Sequence, residues 1–422
     1  MNTKTTTGLY WFRRDLRLAD NPTFNALAER VDRLICVYVE GQDQELQSQL
    51  LEPRSSIFKQ SFEQQSVSAL ALALEQKKQH LLVLESPAQN ALIDLIKGYS
   101  VTHLGVDSHP GVNEARAVKN LQVACPKVHF ITANGHTLFT PEHLPFAVTD
   151  LPKTFTPFRK EVEKCEVPKP VNTLVTLPPP VVVSKPQIPT SPPLSLVEGG
   201  ELAGIAQLND YLFTTHKIKH YKETRNEFDD WYSSSKLSFW LANGSLSVRT
   251  CYQQIKAYES QFGANESTYW LYFELLWREY FQWYLMKHQG RLFDFKGVKQ
   301  QAPTSGFEQK KFIRWCEGMT DYPIVNACMR QLKQTGYMSN RGRQLVASCF
   351  VHELNLDWRY GAAYFEQQLI DYDVASNWGN WQYLAGVGAD PRGHRRFDLH
   401  KQAEIYDPDA AFRQKWLGSD NQ

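Results

Sequence analysis

A proline-dense segment in the middle of the chain divides it into two parts and constrains its fold more than any other feature. Residues 141–193 hold 13 of the 22 prolines, including the run Pro178-Pro179-Pro180. Proline fixes φ and lacks the backbone N–H, so this density predicts an extended connector and excludes a helix or a central strand there. We therefore expect two domains, at 1–140 and 200–422, joined by a linker over 141–199.

Before this linker, short β-type runs alternate with amphipathic helical stretches. Five runs have the composition of strands: LYWF (9–12), RLICVYV (33–39), HLLVLE (80–85), HLGVD (103–107) and VHFIT (128–132). Helical periodicity occurs at 55–78, 88–98 and 113–123, and Asn21-Pro22 is typical of a helix N-terminus. This alternation predicts a Rossmann-like α/β domain, a doubly wound parallel sheet covered by helices on both faces.

After residue 200 the pattern becomes helical throughout. Six stretches have clear helical periodicity: 203–214, 246–261, 268–288, 323–335, 341–354 and 359–370. Gly336 follows one of them as a C-terminal stop. The expected fold class is therefore α/β followed by an all-α domain.

Charge, cysteines and missing motifs exclude several classes of protein. Lysine and arginine number 46 and aspartate and glutamate 45, so the net charge of +1 argues against a globally basic nucleic-acid binder. The seven cysteines are scattered singly, which argues against a zinc site or a disulfide framework and favours a reducing compartment. The sequence has no secretory h-region, no apolar run of 18 residues, and no dinucleotide, P-loop, nucleophile-elbow or zincin motif. We expect a cytoplasmic, cofactor-dependent protein without a metal site or a membrane segment.

Two segments combine charge with other functional groups near or on helices. Residues 231–238 place four serine hydroxyls and Lys236 ahead of a helical stretch; this arrangement suits a phosphate site, or a plain N-cap in a solvated loop. Within 268–288, one helix face carries Glu274, Trp277, Arg278 and Phe281. That face either packs a core or lines a cavity that holds a flat ligand.

Residues 340–344 open a helix with two arginines in its first turn, Arg341 and Arg343. Cations there oppose the helix dipole. An anionic partner such as Asp371, Asp373 or a phosphate would relieve the conflict, and two solvated arginines are the alternative.

The segment 371–388 holds two acids, Asn377, Asn380, several aromatic rings and three glycines. Amide groups can donate to and accept from a heteroaromatic ring edge, and glycines permit close backbone approach. This composition favours a ligand site over an irregular glycine-rich turn. A local basic cluster consists of Arg392, Arg395, Arg396 and Lys401. Together with Arg225, Lys236 and Arg341 it forms either one cationic patch for a nucleic-acid backbone or a solvated face.

Several long motifs in the same order resemble the cryptochrome/photolyase flavoproteins. They are WFRRDLRLADNP (11–22), FTPFRK (155–160), HYKETRN (220–226), SSSKLSFWLANGSLS (233–247), ELLWREYF (274–281), YPIVNACMRQLKQTGYMSNRGR (322–343), LDWR (356–359) and DYDVASNWGNWQY (371–383). The resemblance runs with gaps from about residue 8 to 412 and is dense after 220. Within the family, FTPFRKEVEK, YKETRN, SNRGRQ and GNWQY are most similar to the DASH cryptochrome branch.

The resemblance implies an FAD held in a folded, U-shaped conformation in the helical domain. Its phosphates and ribityl chain would contact Tyr221, Ser234, Ser235, Leu237 and Ser238. Arg343 and Asp371 would form an ion pair beside the isoalloxazine, and Asp373 would approach its polar edge. Asn377 would lie near flavin N5, where an amide can hydrogen-bond a reduced flavin without supplying an acid.

The resemblance also implies a blue-light photolyase whose substrate is a cyclobutane pyrimidine dimer flipped into a cavity above the flavin. Glu274, Trp277, Asn340 and Tyr383 match the cavity positions, and further DNA contacts are expected from Arg225, Arg278, Arg341 and Arg396. Gln344 and Tyr383 stand where duplex-repairing photolyases have Met and Trp. Less apolar stacking surface gives less energy to offset extrusion from a duplex, so we expect a preference for single-stranded DNA. The alternative function is a blue-light photoreceptor that signals through flavin redox state without repair.

Two further expectations concern electron transfer and an antenna. Trp381 and Trp358 match the first two positions of the family's electron relay, but Ser305 occupies the third; light should therefore reduce the FAD slowly unless Trp378, Trp315 or a tyrosine substitutes. Asn113 and Glu114 match positions that contact a folate antenna (5,10-methenyltetrahydrofolate) in some members, or they cap a helix N-terminus. We expect a monomer.

Overall fold

The first domain is built on a five-stranded sheet in the order β3-β2-β1-β4-β5. The computed structural model describes residues 5–41, 50–52, 54–85, 88–182, 196–391 and 395–418. The strands are β1 (Thr7–Phe12), β2 (Arg33–Val39), β3 (Leu81–Leu84), β4 (His103–Gly105) and β5 (His129–Ile131). The helices are α1 (Pro22–Ala28), α2 (Ile57–Gln76), α3 (Ala88–Gly98) and α4 (Val112–Ala124). All strand pairs are parallel, which confirms the predicted doubly wound α/β domain.

Each face of this sheet carries its own buried cluster, because alternate residues of a strand point to opposite faces. Tyr10 belongs to a cluster with residues of α1 and α2, and its neighbour Leu9 belongs to a cluster with residues of α3 and α4. The predicted start of α1 is confirmed: the Asn21 side chain accepts from Phe24 N at 3.0 Å, and Pro22 is the first helical residue.

The proline-dense segment contains a helix, so the prediction that its prolines exclude one is wrong for α5 (Phe155–Val162). Pro157 is the third residue of α5, where the missing N–H has no intrahelical acceptor to lose. Part of the remaining segment runs beside the sheet, where Val181 N donates to the carbonyl of Leu34 in β2 at 3.2 Å. Residues 183–195 of the predicted linker lie outside the described residues.

The second domain is helical, as predicted. Its α-helices are α6 (Glu201–Asn209), α7 (Tyr221–Thr224), α8 (Ser238–Asn243), α9 (Val248–Phe262), α10 (Glu266–His288), α11 (Gln309–Cys316), α12 (Pro323–Thr335), α13 (Asn340–Ser348), α14 (Trp358–Gln368), α15 (Val374–Leu384), α16 (Leu399–Tyr406) and α17 (Ala411–Leu417). Single π-helical turns, Asp210–Thr214 and Cys349–Glu353, extend α6 and α13. Gly336 ends α12 with φ of +69°, a conformation that suits glycine. In the described part of the chain, no helix combines the length and apolarity that a membrane span requires.

Buried polar contacts join the two domains along a seam. Arg249 of α9 forms an ion pair with Asp20 of the first domain, and their side chains are 4% and 1% exposed. Glu279 of α10 accepts from the backbone N–H groups of Leu138 and Phe139 at 2.8 and 3.2 Å. Side chains of the helical domain thus hold the chain that follows β5 in place.

Candidate functional site

Two adjoining cavities open in the helical domain, with volumes of about 510 and 260 Å³. They share nine lining residues: Arg225, Ser238, Glu274, Arg278, Asn340, Arg343, Asp371, Asp373 and Ser376. Because they share these lining residues, the two cavities lie side by side, and they are described together below as one candidate site of the size that a cofactor needs.

Most of the predicted site residues line this space. The residues predicted to contact FAD all line it: Tyr221, Ser234, Ser235, Leu237, Ser238, Arg343, Asp371, Asp373 and Asn377. Seven residues predicted to contact substrate or DNA also line it: Arg225, Glu274, Trp277, Arg278, Asn340, Gln344 and Tyr383. Trp381 lines the larger cavity as well. The structure therefore brings these residues together, and their roles stay predictions.

Two predicted DNA contacts do not line the cavity. Arg341 donates to Asn226 Oδ1 and Gln402 Oε1, and its guanidinium lies 4.7 Å from the ring centroid of Tyr406. Arg396 is 67% exposed and pairs with Glu353.

In the predicted basic cluster, the adjacent Arg395 lines the cavity, and Arg392 lies outside the described residues. The Arg395 guanidinium lies 4.4 Å from the ring centroid of Tyr383 and its Nε donates to Asp390 at 2.8 Å. The basic character of this segment was visible in the sequence, but residues 395–398 are irregular, and no periodicity shows which arginine points inward.

The serine-rich segment forms one end of the space. Ser234, Ser235 and Lys236 line it, and Lys236 Nζ donates to Ser234 Oγ at 3.1 Å and to Tyr337 Oη at 3.0 Å. Lys236 and Ser235 are buried, and no side chain caps α8. The alternative of an N-cap in a solvated loop is therefore wrong. Hydroxyls beside a buried ammonium group are suited to a phosphate.

The arginine predicted to need an anionic partner has one. Arg343 Nη2 donates to both oxygens of Asp371, at 2.8 and 2.9 Å, and Arg343 Nε donates to the carbonyl of Met338. The Asp371 carboxylate is only 2% exposed. This ion pair is part of the wall that the two cavities share.

Asp373 is held by residues that the sequence did not indicate. It accepts from Ser376 N at 2.7 Å as the N-cap of α15, and from Gln282 Nε2 at 2.9 and 3.0 Å. Burial alone would raise the pKa of Asp373, but hydrogen bonds and the nearby Arg278 hold it below the ordinary range. Asp373 is therefore an ionised acceptor facing the cavity.

His136, from the first domain, also lies against Asp373, with Nε2 at 3.7 Å from Oδ2. The same Nε2 lies at 3.0 Å from Arg278 Nη2, which can only donate, so His136 is neutral and accepts. Burial and the charge of Arg278 lower the pKa of His136 to about 4. Nothing in the local sequence distinguishes this histidine from an ordinary core residue.

The opposite wall of the larger cavity carries Glu274 and Trp277. Glu274 Oε1 accepts from Arg225 Nη1 at 2.6 Å. Burial raises the pKa of Glu274, while the charge of Arg225 opposes that shift. Trp277 is stacked on Phe155 of α5 at 3.8 Å, which fixes the indole plane. The two interpretations of this helix face are both partly right, since it contains an ion pair and also lines a cavity.

Residues 374–384 form the helix α15, so an irregular turn is wrong for that part of the segment. Asn377 lines the cavity and its Nδ2 donates to the carbonyl of Ala362 at 3.0 Å. A Cβ at Gly379 would lie 2.2 Å from Phe281 Cδ1, so this glycine serves the packing of α15 on α10. The predicted close approach is thus to a side chain of the protein.

The predicted antenna residues lie at the start of α4 and do not line this cavity. Gly111, and not Asn113, is the N-cap, and Asn113 accepts from Arg116 at 3.2 Å. Glu114 lies in the first turn, with Oε1 3.8 Å from His109 Nδ1. The capping alternative is therefore wrong for Asn113, and a folate contact stays a prediction. Among the described residues, no three His, Cys, Asp or Glu side chains cluster as a metal site would need.

The chemistry of the lining residues fits a flavin dinucleotide. Hydroxyls and an ammonium group line the smaller cavity, an ion pair and an ionised carboxylate line the wall that both cavities share, and an amide lines the larger cavity. The hydroxyls and the ammonium group suit a pyrophosphate, and the other groups suit the polar edge of a heteroaromatic ring.

Comparisons with known proteins agree with this assignment. Residues 8–178 match the family model described as DNA photolyase, and residues 270–420 match the FAD binding domain of DNA photolyase. Cryptochrome DASH of Idiomarina loihiensis is 49% identical over 416 residues, which cover 97% of this chain and 92% of that protein. Cryptochrome DASH of Vibrio parahaemolyticus is 48% identical, over 98% and 94% of the two chains.

Solved structures give the same result. The Synechocystis cryptochrome superposes with a TM-score of 0.91 at 36% identity and covers 99% of this chain and 89% of that one. A class III photolyase from Agrobacterium tumefaciens superposes with a TM-score of 0.85 at 28% identity, over 99% and 87% of the two chains. The chain therefore belongs to the cryptochrome/photolyase family of FAD-binding flavoproteins and is most like the DASH cryptochromes.

Proposed function

We propose that this chain is a blue-light-dependent DNA photolyase, a carbon–carbon lyase that splits cyclobutane pyrimidine dimers and prefers them in single-stranded DNA. One observation carries the proposal: the residues expected to hold FAD and those expected to hold the dimer line two adjoining cavities that share part of their walls. The bound, reduced flavin would supply on excitation the electron that opens the cyclobutane ring and would recover it afterwards.

The chain's own groups would hold the cofactor at both ends. Ser234, Ser235 and Ser238 can donate to phosphate oxygens, and Lys236 supplies a nearby positive charge. At the ring end, the ionised Asp373 can accept an N–H. The ion pair and Asn377 complete that end of the space, and their bonds to protein groups keep them oriented before any ligand binds.

The dimer would lie against Glu274 and Trp277. A Glu274 carboxyl oxygen can accept an N–H of a pyrimidine, and the bond to Arg225 fixes the side chain in place. Trp277 lines the larger cavity and is held by Phe155, which is stacked on it at 3.8 Å, so its indole offers apolar surface for a pyrimidine. We assign both groups to the substrate because neither is among the proposed FAD contacts.

The preference for single strands rests on the rim of the cavity. Gln344 and Tyr383 line it and provide less apolar surface than methionine and tryptophan would. Unpairing and extruding a dimer from a duplex costs a few kcal/mol, whereas in a single strand no base pair has to be broken. A rim with little stacking surface therefore favours lesions in single strands.

The test is blue-light repair by the chemically reduced protein, measured on one oligonucleotide with a defined dimer as a single strand and as a duplex. Intact dimer is separated from product by chromatography. We expect splitting in both, several-fold faster in the single strand. Absence of splitting would refute repair and favour a photoreceptor; equal rates would refute only the strand preference.

Glu274→Ala tests the assignment of the substrate wall, with Glu353→Ala as its control. Both variants break a carboxylate–arginine pair, but Glu353 lies outside the cavity, on Arg396. A hydrogen bond to a charged group is worth about 1.5–3 kcal/mol, so repair by Glu274→Ala should fall roughly tenfold or more. The FAD content should stay equal in both variants. Unchanged repair by Glu274→Ala would remove Glu274 from the mechanism.

A further inference from the structure

The cavity-lining Trp381 has a second large indole as its neighbour. The ring centroid of Trp315, in α11, lies 6.3 Å from that of Trp381, in α15. Trp315 is fully buried and its Nε1 donates to the carbonyl of Val346 at 3.1 Å. The two rings meet edge to face, so an electron can pass between them over one van der Waals contact.

From Trp315 the row of oxidisable rings continues outward. The ring centroid of Tyr364, in α14, lies 5.6 Å from that of Trp315. Tyr364 is only partly buried, whereas both indoles before it are buried. The sequence Trp381, Trp315, Tyr364 therefore runs from the cavity wall towards the surface.

Trp358, the other tryptophan expected to relay electrons, has ring neighbours that lie towards the cavity and not towards the surface. Trp358 is fully buried, and its ring contact is with Trp378, at 5.8 Å between centroids. Trp378 Nε1 donates to the hydroxyl of Tyr372, which lines the same cavity. Ser305, at the expected outer position, has no ring that can be oxidised. An oxidising equivalent on this branch would thus approach the cavity again.

We propose that Trp315 and Tyr364 carry the oxidising equivalent from Trp381 to the surface when light reduces the FAD, in place of a route through Ser305. This inference rests on FAD binding and not on DNA repair. It explains how a chain with serine at that position can still be photoreduced.

The electrons and protons balance in four transfers. Trp381 would give one electron to the excited, oxidised FAD, Trp315 would give one to Trp381, and Tyr364 would give one to Trp315. Tyr364 releases its phenolic proton to water as it is oxidised. An added thiol returns one electron and one proton to Tyr364, and two thiols end as one disulfide for every two electrons delivered. Burial raises the pKa of Tyr364, so the phenol starts protonated at neutral pH.

Two matched variants distinguish the routes. Trp315→Phe and Trp358→Phe each remove a fully buried indole whose N–H donates to one backbone carbonyl at 3.1 Å. The measurement is the rate at which blue light bleaches the oxidised-flavin band with excess thiol present. We expect Trp315→Phe to slow bleaching at least tenfold, and at least fivefold more than Trp358→Phe. The reverse order would overturn the proposal.

Tyr364→Phe keeps the test decisive if Trp315→Phe does not fold. It removes one hydroxyl, whose bond to the carbonyl of Cys316 is long, at 3.4 Å. In the unaltered protein, time-resolved electron paramagnetic resonance should show a tyrosyl radical, and Tyr364→Phe should show a tryptophanyl radical that recombines at least fivefold faster. A tryptophanyl signal in both, with equal lifetimes, would exclude Tyr364. Repair by chemically reduced protein bypasses this route, so its failure would refute only the proposed repair.

Discussion

Arg249→Met removes the arginine of the buried ion pair at the seam between the two domains. Arg249 Nε and Nη2 donate to the two oxygens of Asp20, both at 2.9 Å. Asp20 would keep its bonds from Ser247 and from the backbone N–H of Val171, but its charge would be buried without a counter-ion. Loss of one partner from a buried pair costs about 3–5 kcal/mol, and we expect the free energy of unfolding to fall by that amount.

Arg396→Met is the matched control at the surface. Arg396 Nε and Nη2 donate to Glu353 at 2.8 and 2.9 Å, but its side chain is 67% exposed. Exposed pairs are worth about 0.2–1 kcal/mol and weaken with salt. Urea unfolding followed by far-UV circular dichroism, at low and high salt, measures both variants. Only the smaller effect, that of Arg396→Met, should depend on salt.

Adding Asp20→Asn to Arg249→Met tests the cause of the loss. Asp20 has φ of +49°, which asparagine tolerates, and the substitution removes the unpaired charge. The double variant should recover on the order of 1 kcal/mol or more over Arg249→Met. The reasoning is refuted if Arg249→Met costs no more than Arg396→Met, or if the double variant recovers nothing.

Three further results are expected. The pKa of His136 is about 4 in the folded protein and ordinarily 6.5. The unfolded chain therefore takes up the proton first, and the free energy of unfolding falls by roughly 2–3 kcal/mol as the pH drops from 6.5 to 4. His136→Gln should lose less stability over that pH range, and an unfolding profile equal to that of the unaltered protein would contradict this. The double variant Gln344→Met, Tyr383→Trp adds stacking surface worth about 1 kcal/mol or more and should raise the ratio of duplex to single-strand repair about fivefold. An unchanged ratio would show that these two residues do not cause the strand preference. Asp371→Asn weakens the charge-assisted pair with Arg343, which is worth about 1.5–3 kcal/mol. The dissociation constant of FAD, measured by fluorescence titration, should rise roughly tenfold, and an unchanged affinity would show that the pair does not help to bind the cofactor.

Local signals predicted the elements well, because capping and strand periodicity depend on neighbouring residues. Asn21 and Pro22 start α1 as expected, and Gly336 ends α12. The error at Pro157 came from counting prolines without regard to position, since the first turn of a helix tolerates them. The glycines of α15 were misjudged for a different reason: Gly379 makes room for Phe281 of another helix, which only tertiary packing determines.

The candidate site was predictable where long motifs carried it and unpredictable where orientation decided. Arg343 and Asp371 are 28 residues apart, yet their pairing was expected. The choice of Arg395 over Arg396 depends on which neighbour points inward, and His136 reaches Asp373 from another domain. Contacts of that kind leave no periodic trace in a sequence.

The seam along Glu279 has a consequence for dividing the chain. Glu279 is fully buried, and Leu138, Phe139 and Trp283 supply its donors. A fragment containing residues 200–422 alone would lose two of these three donors and the histidine that lies against Asp373. The helical domain of this protein is therefore not an independent unit. Any transfer of the cavity into another protein must include the segment 134–139, which follows β5.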